Sequence, residues 1–148
     1  DGFSLCAISD ATRDLVIAWR RAYLEEALLI PGEDTTQKAV SDIDSYIAAD
    51  SHRVLFEGET PVAMTGFNAT VARAVQIGGV YTPPEQRSRG LARSAVAMHL
   101  EQAMTKGAER AILFAASVQA CKAYEALGFQ RIGGFTISAY EEPQVIYG

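Results

Sequence analysis

Val80-Tyr81-Thr82-Pro83-Pro84-Glu85-Gln86-Arg87-Ser88-Arg89-Gly90-Leu91-Ala92 is the stretch on which the reading of this chain turns. Two prolines end whatever precedes them, because neither can donate to a strand ladder. Gly90 then opens the most regular helical pattern in the sequence. A helix N-terminus presents unpaired backbone N–H groups and the positive end of the helix dipole, and together these attract an anion. Gly90 lacks a side chain, so a phosphate can approach the backbone closely. Arg87, Arg89 and Arg93 add positive charge, and no acid occurs from Gln86 to Leu100 in a chain whose net charge is −5. An anion-binding turn follows, although a solvated helix start without a ligand would use the same residues. The turn has neither the Gly-Lys-Ser/Thr of a P-loop nor a Gly-x-Gly-x-x-Gly after a strand.

Working outward, Ala92, Val96, Leu100 and Ala103 form the helix stripe, and Lys106-Gly107 supplies the ending. Arg110 to Ala115 reads as a short buried strand, Val118 to Leu127 as a helix with Gly128 beyond it, and Phe129 to Tyr140 as a strand. Upstream, the period is two from His52. Val54 and Phe56 alternate with Arg53 and Leu55, Gly58-Glu59-Thr60-Pro61 turns into Val62 to Asn68, and Ala72 to Tyr81 follows as an antiparallel partner. Earlier still, Phe3 to Ile8 is a candidate strand, with Ser9 or Asp10 capping a helix. That helix carries Leu15, Ala18, Trp19, Ala22 and Tyr23 and stops at Pro31-Gly32. A second helix is expected over Thr36 to Ala49, with Val40, Ile43 and Ile47 on one face. The order predicts an α/β protein of the α+β kind, with a central, mostly antiparallel mixed sheet flanked by helices.

The 148 residues suit a single domain over 1–148. The chain opens with Asp1 rather than Met, so upstream residues are allowed for, and no signal-peptide pattern is present. No apolar run approaches the ~20 residues of a membrane span. Cys6 and Cys121 with His52 and His99 are scattered singletons, so no metal site is expected. Two reduced thiols fit a cytoplasmic location. An acidic chain argues against a nucleic-acid partner.

The stretch from Val80 to Ala92 resembles motif A of the GNAT superfamily of N-acetyltransferases, whose signature is Gln/Arg-x-x-Gly-x-Gly/Ala. Arg87, Gly90 and Ala92 stand at its signature positions. Ala120-x-x-x-Tyr124-x-x-x-Gly128-Phe129 resembles motif B of the same family. Both motifs occur in the right order, and Val-Tyr-Thr-Pro-Pro looks closest to the glycine N-acyltransferase-like branch. The resemblance implies the acyl-coenzyme A N-acyltransferase fold, acetyl-coenzyme A as cosubstrate, and a small-molecule or peptide amine as acceptor. It implies that Val80, Tyr81 and Thr82 lie along pantetheine, with Val80 and Thr82 offering backbone groups. Arg87, Ser88, Arg89, Gly90, Leu91 and Ala92 would hold the pyrophosphate.

Tyr124 matches the tyrosine that the family uses as general acid toward the departing sulfur. A phenol of pKa ~10 suits a thiolate whose conjugate acid lies near ~8.5. Ser117 stands where motif B commonly has Asn, and would bond pantetheine or cap the following helix. Gln76 stands where some members carry a catalytic glutamate, and glutamine cannot take a proton. Since Val62 to Pro84 contains no acid or histidine, the base is sought in Glu26, near Trp19 and Tyr23 in the acceptor region, or in solvent. Gln76 is left to orient the acceptor. His52 and His99 are kept out of the site. The missing glutamate also keeps open a module that binds acyl-coenzyme A without turnover. The identity of the acceptor amine, the acyl-chain preference and a homodimeric state are not readable from these residues.

Overall fold

The computed structural model describes residues 2–27, 35–114, 122, 124–133 and 136–140. Half of the expected helix over Val118 to Leu127 therefore lies outside the described residues, and Ser117 and Pro31-Gly32 lie wholly outside them. Among the described residues, Lys122, Tyr124 and Glu125 are helical and Gly128 turns with φ 104°.

The described elements are β1 (Phe3–Ala7), α1 (Arg13–Ala27), α2 (Thr35–Ala49), β2 (His52–Glu57), β3 (Thr60–Val71), β4 (Ala74–Tyr81), α3 (Leu91–Thr105), β5 (Arg110–Phe114), β6 (Gln130–Gly133) and β7 (Thr136–Tyr140). The strands form one sheet in the order β1-β2-β3-β4-β5-β7-β6. Only β4 and β5 pair in parallel, and the other five pairings are antiparallel. This is the predicted mixed, mostly antiparallel sheet. The parallel pair needs a crossover, and α3 supplies it.

The helices cover both faces. Val16 and Trp19 of α1 and Ile43 of α2 pack with Val54, Met64 and Tyr81 on one side. On the other, α3 places Val96 against Val75, Ile77 and Leu113, and Leu91 and Ala95 against Leu55, Val62 and Ala63. Covering on both faces explains why His52, Arg53, Val54 and Leu55 are all buried. The alternation expected there describes direction, not exposure. Among the described residues no helix is long and apolar enough to cross a membrane.

Several local expectations are corrected. Ser9 and Asp10 do not cap α1. They belong to a 3-10 turn over Ile8–Asp10, and the helix begins at Arg13 with Leu15 and Val16 donating to the Thr12 carbonyl. The buried face of α2 is Thr35, Ala39 and Ile43 with Tyr46 packed beside them, while Ile47 is 38% exposed. In α3 the buried stripe is Leu91, Ala95, Val96, His99 and Ala103, so Ala92 and Leu100 flank it. Phe129 to Tyr140 is not one strand: β6 and β7 pair antiparallel, and β7 lies between β6 and β5.

Both histidines are core residues, 1% and 3% exposed. The His52 ring stacks on Tyr46 at 3.5 Å between centroids, and the His99 ring stacks on Phe67 at 3.7 Å. Burial is the main cause that lowers each from 6.5 to about 3, with Arg20 next for His52 and Arg53 next for His99. Each ring therefore binds a proton on unfolding anywhere between about 3 and 6.5. Their stabilising contribution is complete above that window and is lost as pH falls through it, by up to about 1.4 kcal/mol per pH unit for each ring. Urea unfolding from pH 7 to pH 4.5 should show this decline. His99→Phe keeps the stack and should remove one ring's share of the slope; an unchanged slope would mean that His99 titrates normally in the fold.

Candidate active site

The site is built where β4 parts from β5. Their pairing runs from Ala74↔Arg110 to Ile77↔Leu113, whereas β4 continues to Tyr81 and keeps β3 as partner through Met64↔Tyr81. The β3–β4 register shifts between Met64 and Gly66, opposite Gly78, Gly79 and Val80. Gly79 adopts φ 66°, a conformation that a side chain would strain. Val75, Ile77 and Val80 pack toward α3, while Tyr81 packs toward α1 and α2, so the bulge switches the strand's facing. Val80 and the residues beside it thus lie on a strand segment with no β5 partner among the described residues.

After Thr82 the chain makes a short 3-10 turn over Pro84–Gln86, with Gln86 donating to the Pro83 carbonyl. Ser88 and Gly90 then take left-handed conformations, φ 68° and 74°. Successive turns of this kind aim backbone N–H groups into one concavity. Gly90 is the N-cap of α3 with no capping side chain, and Ser94 makes the first helical bond back to its carbonyl. Among the described residues the N–H groups of Gly90, Leu91, Ala92 and Arg93 donate to no protein acceptor. A Cβ on Gly90 would meet Arg93 Nη2 at 3.3 Å.

The arginines are less free than the sequence implied. Arg87 donates through Nε to the Thr82 carbonyl (2.8 Å) and through Nη2 to Glu26 (2.9 Å), and lies over the Tyr81 ring. Arg89 reaches Gln86 (2.6 Å) and both carboxylate oxygens of Glu57 (2.9 Å). These pairs are roughly half exposed, and such pairs are typically worth under ~1 kcal/mol, so an incoming phosphate can compete for them. Arg93 forms no ion pair among the described residues. The Thr82 hydroxyl is buried without a partner among the described residues.

Tyr124 packs with the cluster under α3, edge-on to Phe129 at 5.9 Å. Burial raises its phenol above the ordinary value, and the nearby Arg93 opposes that rise. A raised phenol stays protonated at neutral pH, the form that a general acid needs. Tyr124 and the start of α3 are thereby brought together. Glu26 is not free beside Trp19 and Tyr23, but sits on Arg87. Trp19 is buried in the core with its ring 6.1 Å from Tyr81. Tyr23 lies under the Arg20 guanidinium at 4.7 Å. Gln76 alternates with Val75 and Ile77, so it takes the face opposite α3.

Sequence reasoning missed Glu57, Arg20 and His52. Glu57 and Arg20 contact the turn or the bulge from distant elements, and His52 lies under the glycines of β3 and β4: a Cβ on Gly66 would fall 2.1 Å from its ring. A cavity of about 710 Å³ lies elsewhere, at the C-terminal end of α3 beside His99, Gln102 and Lys106. It touches none of the turn residues, and it is the geometry of the turn and not cavity size that marks the site. Among the described residues no group of His, Cys, Asp and Glu could hold a metal ion.

The model of the acetyltransferase (GNAT) family matches residues 14–129. Among solved structures, a PaiA N-acetyltransferase from Thermoplasma acidophilum in complex with coenzyme A is 13% identical, with 95% of this chain and 99% of that one covered at a TM-score of 0.68. A GNAT family acetyltransferase from Brucella melitensis in complex with acetyl-CoA is 16% identical, covering 99% and 92% at 0.61. A spermidine N-acetyltransferase chimera from Vibrio cholerae is 15% identical, covering 95% and 96% at 0.70. No curated protein sequence matches. The likeness reaches the family and its fold, not the glycine N-acyltransferase-like branch.

Gly90→Glu should place both bulk and negative charge where the free N–H groups converge, in a backbone conformation that disfavours any side chain. Calorimetric titration with acetyl-coenzyme A should then lose at least about a hundredfold in affinity, the loss expected for several charge-assisted hydrogen bonds. Equal affinity in the variant would remove the turn from the site.

Proposed function

Because this chain belongs to the GNAT family of acetyltransferases, we propose that it moves an acetyl group from acetyl-coenzyme A to a primary amine of a small molecule or peptide. The amine attacks the thioester carbonyl directly, the carbon–sulfur bond breaks, and no acyl-enzyme forms. The observation that carries this reading is the turn: among the described residues the N–H groups of Gly90, Leu91, Ala92 and Arg93 are unpaired at a helix start, and the strand before it has no parallel partner beyond Ile77. The first suits a pyrophosphate. The second suits an extended, amide-bearing arm that pairs with a strand edge.

In this reading Val80 and Thr82 give backbone groups to pantetheine, with Tyr81 between them, and Arg87 to Ala92 hold the pyrophosphate. Ser117 is assigned to the pantetheine arm by its motif position alone. Tyr124 gives its proton to the departing sulfur and recovers one from solvent. The amine must lose a proton, and Glu26 is the carboxylate assigned to accept it through water once phosphate has drawn Arg87 away. Trp19 supports the acceptor side from within the core, and Tyr23 and Gln76 line it. Most of the rate enhancement rests on holding the two substrates in line.

A second reading, an acyl-coenzyme A-binding module without turnover, is favoured by two observations. The strand position expected to hold a base is Gln76, and Glu26 is engaged with Arg87. Thiol release from acetyl-coenzyme A across a panel of amines separates the two readings, since binding without release supports the second. Tyr124→Phe should lower kcat about a hundredfold, the scale of general acid catalysis, with acetyl-coenzyme A affinity unchanged. Equal turnover would end its role as the acid. Glu26→Gln should abolish the acidic limb of the kcat/KM profile if Glu26 takes the proton. If it only holds Arg87, KM for acetyl-coenzyme A should change while the profile keeps its shape.

A further inference from the structure

We infer that the acceptor amine carries a carboxylate, which the Arg20 guanidinium binds beside the β4 bulge; this rests on the acetyltransferase reading and deepens it.

Arg20 is a buried cation on the inner face of α1. Its Nε donates to Asp42 at 2.9 Å, and the guanidinium lies over the rings of Tyr23 (4.7 Å) and Tyr46 (5.4 Å). Among the described residues neither Nη donates to a protein acceptor. The guanidinium faces the bulge: a Cβ built on Gly79 would lie 3.8 Å from Arg20 Nη1 and 3.0 Å from His52 Nε2. That His52 nitrogen is buried without a hydrogen-bond partner among the described residues, while Nδ1 of the same ring is 2.8 Å from the Ser51 hydroxyl. Two independent polar groups on α1 and β2 are thus aimed, unpaired, at one point of β4. A buried imidazole nitrogen left in this state is costly unless something completes its hydrogen bond, and the Arg20 Nη groups keep donors free for an incoming acceptor.

Gly79 is also where the reaction would occur. With pyrophosphate at Gly90 and pantetheine running back along Thr82 and Val80, the thioester reaches Gly79 on the same strand. The amine must meet it there, within reach of Arg20.

Charge decides the class of acceptor. On the described parts of α1 and α2, Glu25 pairs with Arg21, Glu26 with Arg87, Asp42 with both Arg20 and Lys38, and Asp44 with Arg13, while Asp14 lies in the first turn of α1 with no ion pair among the described residues. Asp42, the acid bound to Arg20, is already shared by two cations. A polyamine needs several uncommitted carboxylates, whereas the charged group beside Gly79 is the Arg20 guanidinium. A carboxylate instead finds the planar, pre-oriented donors of an arginine, which bind it in bidentate fashion. The aromatic rings exclude water from that pair and strengthen it. The acceptor so defined is an amino acid, with the amine a short distance from the carboxylate.

The test compares thiol release by the wild-type protein with L-α-amino acids, the same compounds as carboxamides, and spermidine. Each carboxamide has the less basic amine, so more of it is in the nucleophilic form and chemistry alone would favour it. The inference expects the reverse, with kcat/KM higher for the acids by about ten- to a hundredfold, as for a lost charge-assisted hydrogen bond. Arg20→Gln should raise KM for the acid and bring the acid-to-amide ratio near one. Should that variant fail to fold, the wild-type comparison decides by itself. Carboxamides or spermidine turned over as well as the acids would overturn the inference and leave the acetyltransferase reading intact. Calorimetric binding of acetyl-coenzyme A with no thiol release from any acceptor would overturn both.

Discussion

The site depends on β4 keeping β3 to Tyr81 while, among the described residues, its pairing with β5 ends at Ile77. A strand paired on both sides has no backbone group to offer, and a strand paired on neither would not hold its position. One retained partner and one lost partner give a rigid edge. The bulge at Gly78 and Gly79 adds a change of facing: Val80 belongs to the α3 side and Tyr81 to the α1–α2 side. The strand then runs into Pro83-Pro84 and the left-handed turn, so the edge and the anion-binding N–H groups are fixed relative to each other over about ten residues.

Electrostatics at the turn are a matter of competition. Arg87 and Arg89 are held by Glu26 and Glu57, which sit on different elements, the end of α1 and the end of β2. These carboxylates keep two cations ordered without burying them. A doubly charged pyrophosphate at a helix start offers those arginines more than a half-exposed carboxylate does, because the backbone N–H groups bind the same ligand. The bound state would therefore rest mainly on the backbone, with the arginines adding to it. This matches the position of Gly90, where any side chain would obstruct the backbone.

What the sequence made legible were features that act through the local backbone. Pro83-Pro84, Gly90 and Lys106-Gly107 fix their own surroundings, so the turn and the limits of α3 could be read directly. Periodicity placed most strands for the same reason. Legibility failed where the deciding contact was distant. His99 reads as polar in a helix stripe, yet its ring packs flat on Phe67 and belongs to the core. The split of Phe129 to Tyr140 depends on β7 pairing with β5, which no local signal announces. Glu26 was read as a free carboxylate because Arg87 lies 61 positions away. The role inferred for Arg20 was hidden likewise, since nothing in α1 alone points to a glycine on β4.

In the proposed reaction, donor and acceptor recognition would accordingly sit on opposite faces of the sheet. The turn, α3 and Tyr124 belong to one side, and Arg20, Tyr23, Tyr46 and His52 to the other, with Gly79 between them. Apart from the Glu26–Arg87 pair and Tyr81, the two sides meet mainly through β4 and its neighbours, so most residues of α1 and α2 can vary without disturbing the turn. That separation explains why motif resemblance reaches the cofactor half of the chain and is silent about the acceptor. It also explains why a buried arginine is informative where a surface one would not be. At the turn, arginines are half exposed and have carboxylate partners on hand. Beside Gly79, Arg20 lies over two aromatic rings, shares its one acid with Lys38, and keeps Nη1 directed at the bulge, where the transferred group would be delivered.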